Sequence, residues 1–293
     1  MSELVSPTKR PRRPIDPLVR LDTLEPDNEL NLSEPELQEA QERSSATVRV
    51  VYEAVRREGE DELKRSPSAL AWSGLAAGLS MGFSLMLEGV LRSSLPDAPW
   101  SKLISKFGYS AGFVIVILGR QQLFTENTLT PILPLLRKCD TGTAAKVARL
   151  WAVVLLANLT GALAIATVLA RTGVFSPAVR EAFAAIGRES ITVGFGLALL
   201  RGVFAGWLLA LLVWVLPFAE HARFFVIIAF TWTISVSGFT HIVAGSVEAF
   251  FLAASGLAPW SQAIGGYIVP VLIGNIAGGV SLVAALNHAQ VVS

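Results

Sequence analysis

The sequence predicts an all-α membrane protein with six transmembrane helices, of which the second and fifth are broken. Its composition is the first reason, because 52% of the 293 residues are hydrophobic and only 16% are charged, with a mean hydropathy of +0.54. Charge is also segregated, since residues 1–66 hold 26 of the 47 charged side chains. This pattern argues against a soluble globular domain and indicates a polar tail joined to a body suited to lipid.

The polar tail divides into two parts. Residues 1–31 are rich in proline and charge without periodicity, and we expect them to be disordered because they cannot bury enough apolar area to offset their ordering entropy. Ser33 and Glu36 then form a capping box, which predicts an amphipathic helix over residues 34–60. We expect this helix to lie against the membrane surface or a neighbouring subunit and to end around Gly59.

The membrane domain, residues 67–293, contains six apolar stretches. A helix needs about 20 residues, each rising about 1.5 Å, to cross a hydrocarbon core. Four stretches are uninterrupted and reach this length, at residues 69–91, 147–170, 191–216 and 260–286.

The second and fifth stretches are interrupted by polar residues. Residues 108–119 would form a helix of about 18 Å, too short to span, before the polar run 120–128. Residues 224–236 are followed by the run 237–241 and then by a second apolar piece, 242–254. Irregular backbone at membrane depth is tolerated only where protein or a water-filled cavity satisfies it. Two breaks at equivalent places predict an inverted three-plus-three repeat with a permeation site between its halves.

Ionisable residues at membrane depth are costly and are therefore candidates for function. Arg120 and Glu126 flank the first break. They fit two interpretations equally, as pore-lining groups or as a buried ion pair with each other or with Glu88. For Arg201 and Glu248 the sequence favours an ion pair that fixes helix packing.

His241 is the sharpest single candidate, because it lies at the second break. Imidazole is the side chain whose ordinary pKa lies nearest neutrality. A buried histidine is more often a satisfied core group, but its place where the helix must unwind favours a functional interpretation.

Other chemistries lack support in the sequence. A single cysteine, Cys139, allows neither an internal disulfide nor a cysteine-based metal site. We find no phosphate loop, metal-ligand spacing or nucleophile elbow, so we expect no enzyme activity, no catalytic residue, no cofactor and no metal. The membrane domain has no basic stripe, so nucleic-acid binding is not expected.

Four motifs together resemble those of the formate/nitrite transporter family, in order and spacing, over residues 68–287. They are LFT at 123–125, ANLTG at 157–161, SGFTH at 237–241 and PVLIGNIAGG at 270–279. The resemblance implies an aquaporin-like fold, assembled in the bilayer as a homopentamer with one pore per subunit. It also implies conduction of small monovalent weak-acid anions such as formate or nitrite, and an inner-membrane location with both termini cytoplasmic. The tail, which carries 11 Lys and Arg residues, agrees with that orientation.

The resemblance also implies roles for individual residues. His241 would be the central pore histidine that protonates the anion, with Thr125 as its partner on the first break. Apolar constrictions would lie on either side, formed toward the outside by Leu123, Phe124 and Leu209, and toward the cytoplasm by Tyr109, Phe113 and Ile234.

Several positions depart from the family pattern. Thr240 stands where a glutamate usually precedes the histidine, and glycine replaces asparagine at Gly206 and Gly245. The lysine that usually attracts anions in the outer vestibule aligns with Ser190, and Arg188 could replace it. Formate or nitrite specificity is therefore not inherited with the resemblance.

Two alternative functions remain open from the sequence. Loss of the vestibule lysine and of the glutamate weakens anion attraction, which would suit a pore for a small neutral solute. The long tail would suit a non-conducting membrane scaffold or sensor that acts through a cytoplasmic partner.

Overall fold

A computed structural model describes residues 47–292, and within this range all regular secondary structure is helical. The expected disorder of residues 1–31 and the first part of the helix predicted over 34–60 lie outside the described residues.

The first half of the membrane domain follows a short helix, α1, and contains five more. Ser66 caps α2 by accepting a hydrogen bond from the Ala69 N–H at 3.3 Å, and Asp140 caps α6 through the Thr143 N–H at 2.9 Å. The helices are α1 Val48–Lys64, α2 Pro67–Ser94, α3 Ser101–Ser105, α4 Ser110–Leu118, α5 Ile132–Lys138 and α6 Thr141–Arg171, with a 3₁₀ turn at Lys106–Tyr109.

The second half contains six α-helices and two π-helical segments, which are often found at functional sites. The α-helices are α7 Pro177–Ile191, α8 Phe195–Val215, α9 Arg223–Val236, α10 Ile242–Ala254, α11 Val269–Ala277 and α12 Leu286–Val292. The π-helical segments Gln262–Ile268 and Gly278–Ala285 flank α11.

Five helical stretches in the described part of the chain are long and apolar enough to cross a membrane. They are Pro67–Ser94, Ser101–Leu118, Thr141–Arg171, Phe195–Phe218 and Gln262–Val291. α9 and α10, with 14 and 13 residues, are each shorter and follow one another across residues 237–241. Large apolar side chains remain exposed around these helices, among them Trp72 at 73% and Phe225 at 70%, which suits a surface that faces lipid rather than water.

Several boundaries differ from those predicted, and two of them change the interpretation. The second stretch begins at Ser101 rather than near residue 108, so its first piece is 18 residues long and the prediction that it is too short was wrong. The polar character of Lys102 and Lys106 hid its start. The fourth span begins at Phe195, because Ile191 is the last residue of α7.

α1 packs against its own subunit, through a buried face that contains Tyr52 and Val55. The Tyr52 hydroxyl is 2.8 Å from Nδ1 of His288 in α12, and Lys138 at the end of α5 lies 3.5 Å from Glu60. The expectation that the helix rests on the membrane surface or on a neighbouring subunit is replaced, for this face, by contacts within the chain.

α1 also ends at Lys64 rather than near Glu60. Gly59 lies inside the helix and does not end it. A side-chain carbon at Gly59 would lie 1.9 Å from the carbonyl oxygen of Thr130, so the glycine lets α1 approach the backbone just before α5. Ion pairs such as Arg56 to Glu60 at 2.6 Å and Lys64 to Asp61 at 2.8 Å support the last turns.

In each half, two helices pack closely against each other at a glycine. A side-chain carbon on Gly78 of α2 would lie 2.2 Å from the carbonyl oxygen of Asn158 in α6. In the second half, one on Gly206 of α8 would lie 2.3 Å from the carbonyl oxygen of Asn275 in α11. Small residues allow this close approach, which stabilises helix pairs in lipid by van der Waals packing.

Candidate functional site

The first break lies between α4 and α5, where α-helical structure stops at Leu118 and resumes at Ile132. Asn158 of α6 supplies the hydrogen bonds that the open backbone lacks. Its Nδ2 donates to the Gln122 carbonyl at 2.9 Å and its Oδ1 accepts from the Phe124 N–H at 2.9 Å. Nδ2 also donates to the Gly74 carbonyl in α2 at 2.8 Å, so one buried amide joins two helices and the break.

The second break, between α9 and α10, is held in the same way by Asn275 of α11. Its Nδ2 donates to the carbonyls of Thr240 and of Gly202 in α8, both at 2.9 Å. Its Oδ1 accepts from the Ile242 N–H at 2.8 Å. The two networks correspond atom for atom, which makes Leu123, between Gln122 and Phe124, the counterpart of His241.

The two breaks meet at His241 and Thr125. Nε2 of His241 lies 2.8 Å from Oγ1 of Thr125, and the two residues are 1% and 0% exposed. Nδ1 of the ring accepts the Ala244 N–H at 3.1 Å and so caps the start of α10. A neutral ring with Nδ1 as acceptor carries its proton on Nε2. His241 thus donates to Thr125, whose own hydroxyl hydrogen stays available.

Apolar side chains surround this pair. The Phe113 ring stands edge-on to the imidazole at a centroid distance of 4.9 Å, and Tyr109 lies 5.2 Å from Phe113. The six residues predicted as constrictions are all buried in the described structure; they are Leu123, Phe124, Leu209, Tyr109, Phe113 and Ile234.

A cavity of about 90 Å³ reaches His241 from the face opposite α1. Tyr109 lines it, as do Ser235 and Val236, the neighbours of Ile234. Lys102, in the first turn of the second span, lines it too. Tyr109, which the resemblance places toward the cytoplasm, thus lies beside a cavity on the face away from α1.

A larger cleft of about 720 Å³ opens at the face that carries α1. Glu58 of α1 lines it together with Gln122 and Glu126, which bracket Leu123 and Phe124. The residues on either side of Leu123 and Phe124, which the resemblance places toward the outside, thus face the cleft that carries α1. The motifs give the order of these residues along the chain and not the direction in which each break opens.

The charged residues have other partners in the structure than those predicted from the sequence. Arg120 adopts a left-handed conformation, φ 51°, and pairs with Glu58 of α1 at 3.5 Å rather than with Glu126 or Glu88. Glu126 lines the tail-side cleft. Among the described residues no ion pair joins Arg201 to Glu248, so that prediction was wrong.

Thr240 and Arg188, the other two polar pore candidates, differ in their surroundings. Thr240 lines the cavity beside His241, and its hydroxyl donates to the Ala198 carbonyl in α8 at 2.9 Å, which fastens the second break to that helix. Arg188 pairs with Glu181 at 2.9 Å and is absent from the lining of the cavity above His241. It does not replace the missing vestibule lysine.

Sequence reasoning missed the asparagines and the charge cluster beside the cavity. Lys106 pairs with the buried Glu88 at 2.6 Å, and the Ser190 hydroxyl donates to Glu248. Asn158 and Asn275 stood inside the quoted motifs, and a lone amide in an apolar helix is a signal that could have identified them. No local signal pairs Lys106 with Glu88, which lies on another helix.

The comparisons with known proteins agree with this architecture. The formate/nitrite transporter profile matches residues 49–289. The chain is 40% identical over 251 residues to the inner membrane protein YfdC of Escherichia coli K12, covering 86% of this chain and 81% of that one. This chain belongs to the formate/nitrite transporter family.

Solved structures give the same fold. A protein described as an FNT family ion channel matches with a TM-score of 0.70 at 18% identity, over 82% of this chain and 98% of its own. A pentameric formate channel with formate bound matches with a TM-score of 0.65 at 21% identity, over 78% and 98%. The family consists of transporters and channels rather than enzymes.

Proposed function

We propose that this protein is a channel for small monovalent weak-acid anions, which pass His241 after receiving a proton from it. The observation that carries the proposal is the 2.8 Å contact between Nε2 of His241 and Oγ1 of Thr125, where two interrupted segments meet. Family membership and the likeness in fold to a channel with formate bound support it.

The corresponding asparagine networks support an inverted three-plus-three repeat of six spans, with the second and fifth broken. Asn158 and Asn275 each bond one carbonyl and one N–H of a break and one carbonyl of a neighbouring span. A break held in this way can lie at membrane depth, because the asparagine supplies hydrogen bonds to its backbone that lipid cannot.

The proposed mechanism follows from desolvation. A bare anion pays heavily to enter a narrow apolar passage, whereas the neutral acid passes at much lower cost. In the proposal, the anion approaches Thr125 and His241 between the apolar rings and takes a proton from the Thr125–His241 pair. The neutral acid crosses the constriction and releases the proton to water beyond it. The Thr125–His241 pair regains a proton from solvent through the cavity that reaches His241, so one proton crosses with each anion.

We also propose that the protein is a homopentamer in the inner membrane, with both termini cytoplasmic and one pore in each subunit. The large apolar side chains exposed on the helices support a surface that contacts lipid or a neighbouring subunit. The 2.8 Å contact of Tyr52 with His288 supports a shared side for the two ends of the described chain.

Flux measurements test this function. Purified protein in liposomes should take up formate or nitrite at a rate that depends on pH, and His241→Ala should lose that dependence together with most of the flux. His288→Ala, at the far end of the chain, is the matched control. Unchanged uptake of every anion tested by His241→Ala would overturn the mechanism. A reversal potential indifferent to an anion gradient, with uptake of uncharged solutes retained, would favour the neutral-solute pore.

A further inference from the structure

We propose that the guanidinium of Arg201 is the anion-binding group of the cavity above His241, and that it selects anions with two coplanar oxygens. This inference rests on the proposed function. It assigns the substrate class as carboxylate-like or nitrite-like oxyanions, in preference to anions with a single heavy atom such as hydrosulfide or chloride.

The positive side chains in the cavity wall differ in whether a carboxylate neutralises them. Three cations line it: Lys102, Lys106 and Arg201. Lys106 is held by the carboxylate of Glu88 at 2.6 Å, and Lys102 lies 3.4 Å from Glu189. Arg201 makes no ion pair or hydrogen bond with any described residue, so its charge is the one left for an entering anion.

The carboxylates that line the cavity with Arg201 are bound to other partners. Glu189 already binds Arg92 at 2.8 Å as well as Lys102. Glu248 lines the cavity but accepts the hydroxyl hydrogen of Ser190. Ser190, the residue in place of the usual lysine, thus supplies no charge and instead engages an acid. Neither carboxylate lies within ion-pairing distance of the guanidinium.

An anion in the cavity can reach the guanidinium of Arg201. Arg201 belongs to the first turns of α8, where an unpaired charge is tolerated if it faces a water-filled cavity. Gly238 lines the same cavity with φ 68°, a conformation that favours glycine. A side-chain carbon there would lie 4.0 Å from Cζ of Arg201. The glycine therefore leaves the guanidinium uncovered beside the break that carries His241.

The shape of the guanidinium decides which class of anion Arg201 binds best. A guanidinium presents a planar fork of N–H donors that matches two oxygens of one anion, whereas an ammonium acts as a point charge. An oxyanion gains paired hydrogen bonds from Arg201 that an anion with a single heavy atom cannot form. Arginine in this place therefore favours carboxylate-like and nitrite-like oxyanions.

The experiment compares Arg201→Gln, Arg201→Lys and the matched control Arg188→Gln, which removes an arginine paired outside the cavity. Formate and hydrosulfide uptake are measured in liposomes over a concentration series. Arg201→Gln should raise the half-saturating concentration of formate about ten-fold or more. Arg201→Lys should recover hydrosulfide uptake but leave formate weakened, so that the preference for formate falls. Arg188→Gln should match the unmodified protein.

A binding measurement separates this proposal from the channel function. Formate should raise the melting temperature of the detergent-solubilised protein, and Arg201→Gln should lose that shift while Arg188→Gln keeps it. If binding follows this pattern without any flux, the site stands and the channel function is wrong. Full recovery of both anions by Arg201→Lys would overturn the oxyanion preference. Unchanged formate binding and uptake in Arg201→Gln would overturn the site itself.

Discussion

The two halves of the membrane domain share one hydrogen-bond network at their breaks and differ in the side chain that the network surrounds. In each half a buried asparagine bonds one carbonyl and one N–H of a break and one carbonyl of a neighbouring span. The residue held between those bonds is Leu123 in the first half and His241 in the second. The asparagine network is therefore common to both halves and serves packing and hydrogen bonding, whereas the buried imidazole is present in the second half alone.

The breaks also open toward different surroundings. The first faces a cleft of about 720 Å³ lined by the acidic residues Glu58, Asp61 and Glu62 of α1. The second faces a cavity of about 90 Å³ lined by Lys102, Lys106 and Arg201. Both linings also hold the opposite sign, with Arg65, Arg120 and Arg223 in the cleft and Glu189 and Glu248 in the cavity. The two faces therefore differ more in the size of the opening than in the sign of its charge.

The largest expected effect comes from removing either asparagine. Asn158→Ala and Asn275→Ala each leave one carbonyl and one N–H of a buried break without a partner and remove a bond to a neighbouring span, so each should cost about 3 kcal/mol or more. Thermal unfolding in detergent should show similar losses in melting temperature for the two variants. Asn287→Ala, in α12, is the control. If only one of the two variants were destabilised, the equivalence of the halves would fail.

Glycine contacts test the same equivalence with a smaller effect. Gly78→Ala and Gly206→Ala would place a carbon 2.2 Å and 2.3 Å from the carbonyl oxygens of Asn158 and Asn275. Each should cost about 1–3 kcal/mol, because the helix pair must separate to relieve the overlap. Gly196→Ala is the matched helical control, since no atom lies within 4 Å of its added carbon. Wild-type melting temperatures for both crowded variants would contradict the close packing.

A third prediction concerns a bond specific to the second half. Thr240→Val removes the 2.9 Å bond from the threonine hydroxyl to the Ala198 carbonyl and should cost about 1 kcal/mol. Thr240→Ser retains the hydroxyl and should restore most of the loss. Equilibrium unfolding followed by tryptophan fluorescence can resolve the difference. Equal stability of the valine and serine variants would show that the hydroxyl contributes nothing.

The smallest effect is expected at the α1 side of the cleft. Burial raises the pKa of Glu62 above its ordinary 4.5, and its Oε2 has no hydrogen-bond partner. A raised pKa in the folded state means that the contribution of Glu62 to stability falls as pH rises through and above 4.5. Glu62→Gln should therefore raise the melting temperature slightly at pH 8 and leave it unchanged at pH 4.

Asp61→Asn is the control for this measurement, because Asp61 is paired with Lys64 at 2.8 Å on the exposed side of α1. It should not raise the melting temperature at either pH. A rise in both variants would indicate a general effect of tail charge rather than the buried carboxyl.

Apolar length and polar interruption could be recognised in the sequence because both are local. The stretches 69–91 and 147–170 lie within α2 and α6, and the polar runs 120–128 and 237–241 fall where α-helical structure stops. The contact of Thr125 with His241 crosses 116 positions. It was anticipated through the resemblance, since no periodicity brings the two residues together.

Long-range charge pairing defeated local reasoning. Arg201 and Glu248 have opposite charge and similar depth, which favoured a pair, yet Glu248 binds Ser190. Lys106 hid the start of the second span because its partner, Glu88, is 18 positions earlier on another helix. The choice among several possible partners depends on the packing angles of helices, and these are set by contacts spread over the whole chain.

Cys139 has a practical consequence of its own. It is the single cysteine of the chain, it is exposed, and it forms the left-handed turn between α5 and α6. Its neighbours Arg137 and Lys138 lie 3.8 Å and 3.5 Å from Glu53 and Glu60 of α1, which puts the thiol on the tail face. A maleimide dye that cannot cross lipid would therefore count, one label per polypeptide, how many molecules in a vesicle preparation point that face outward.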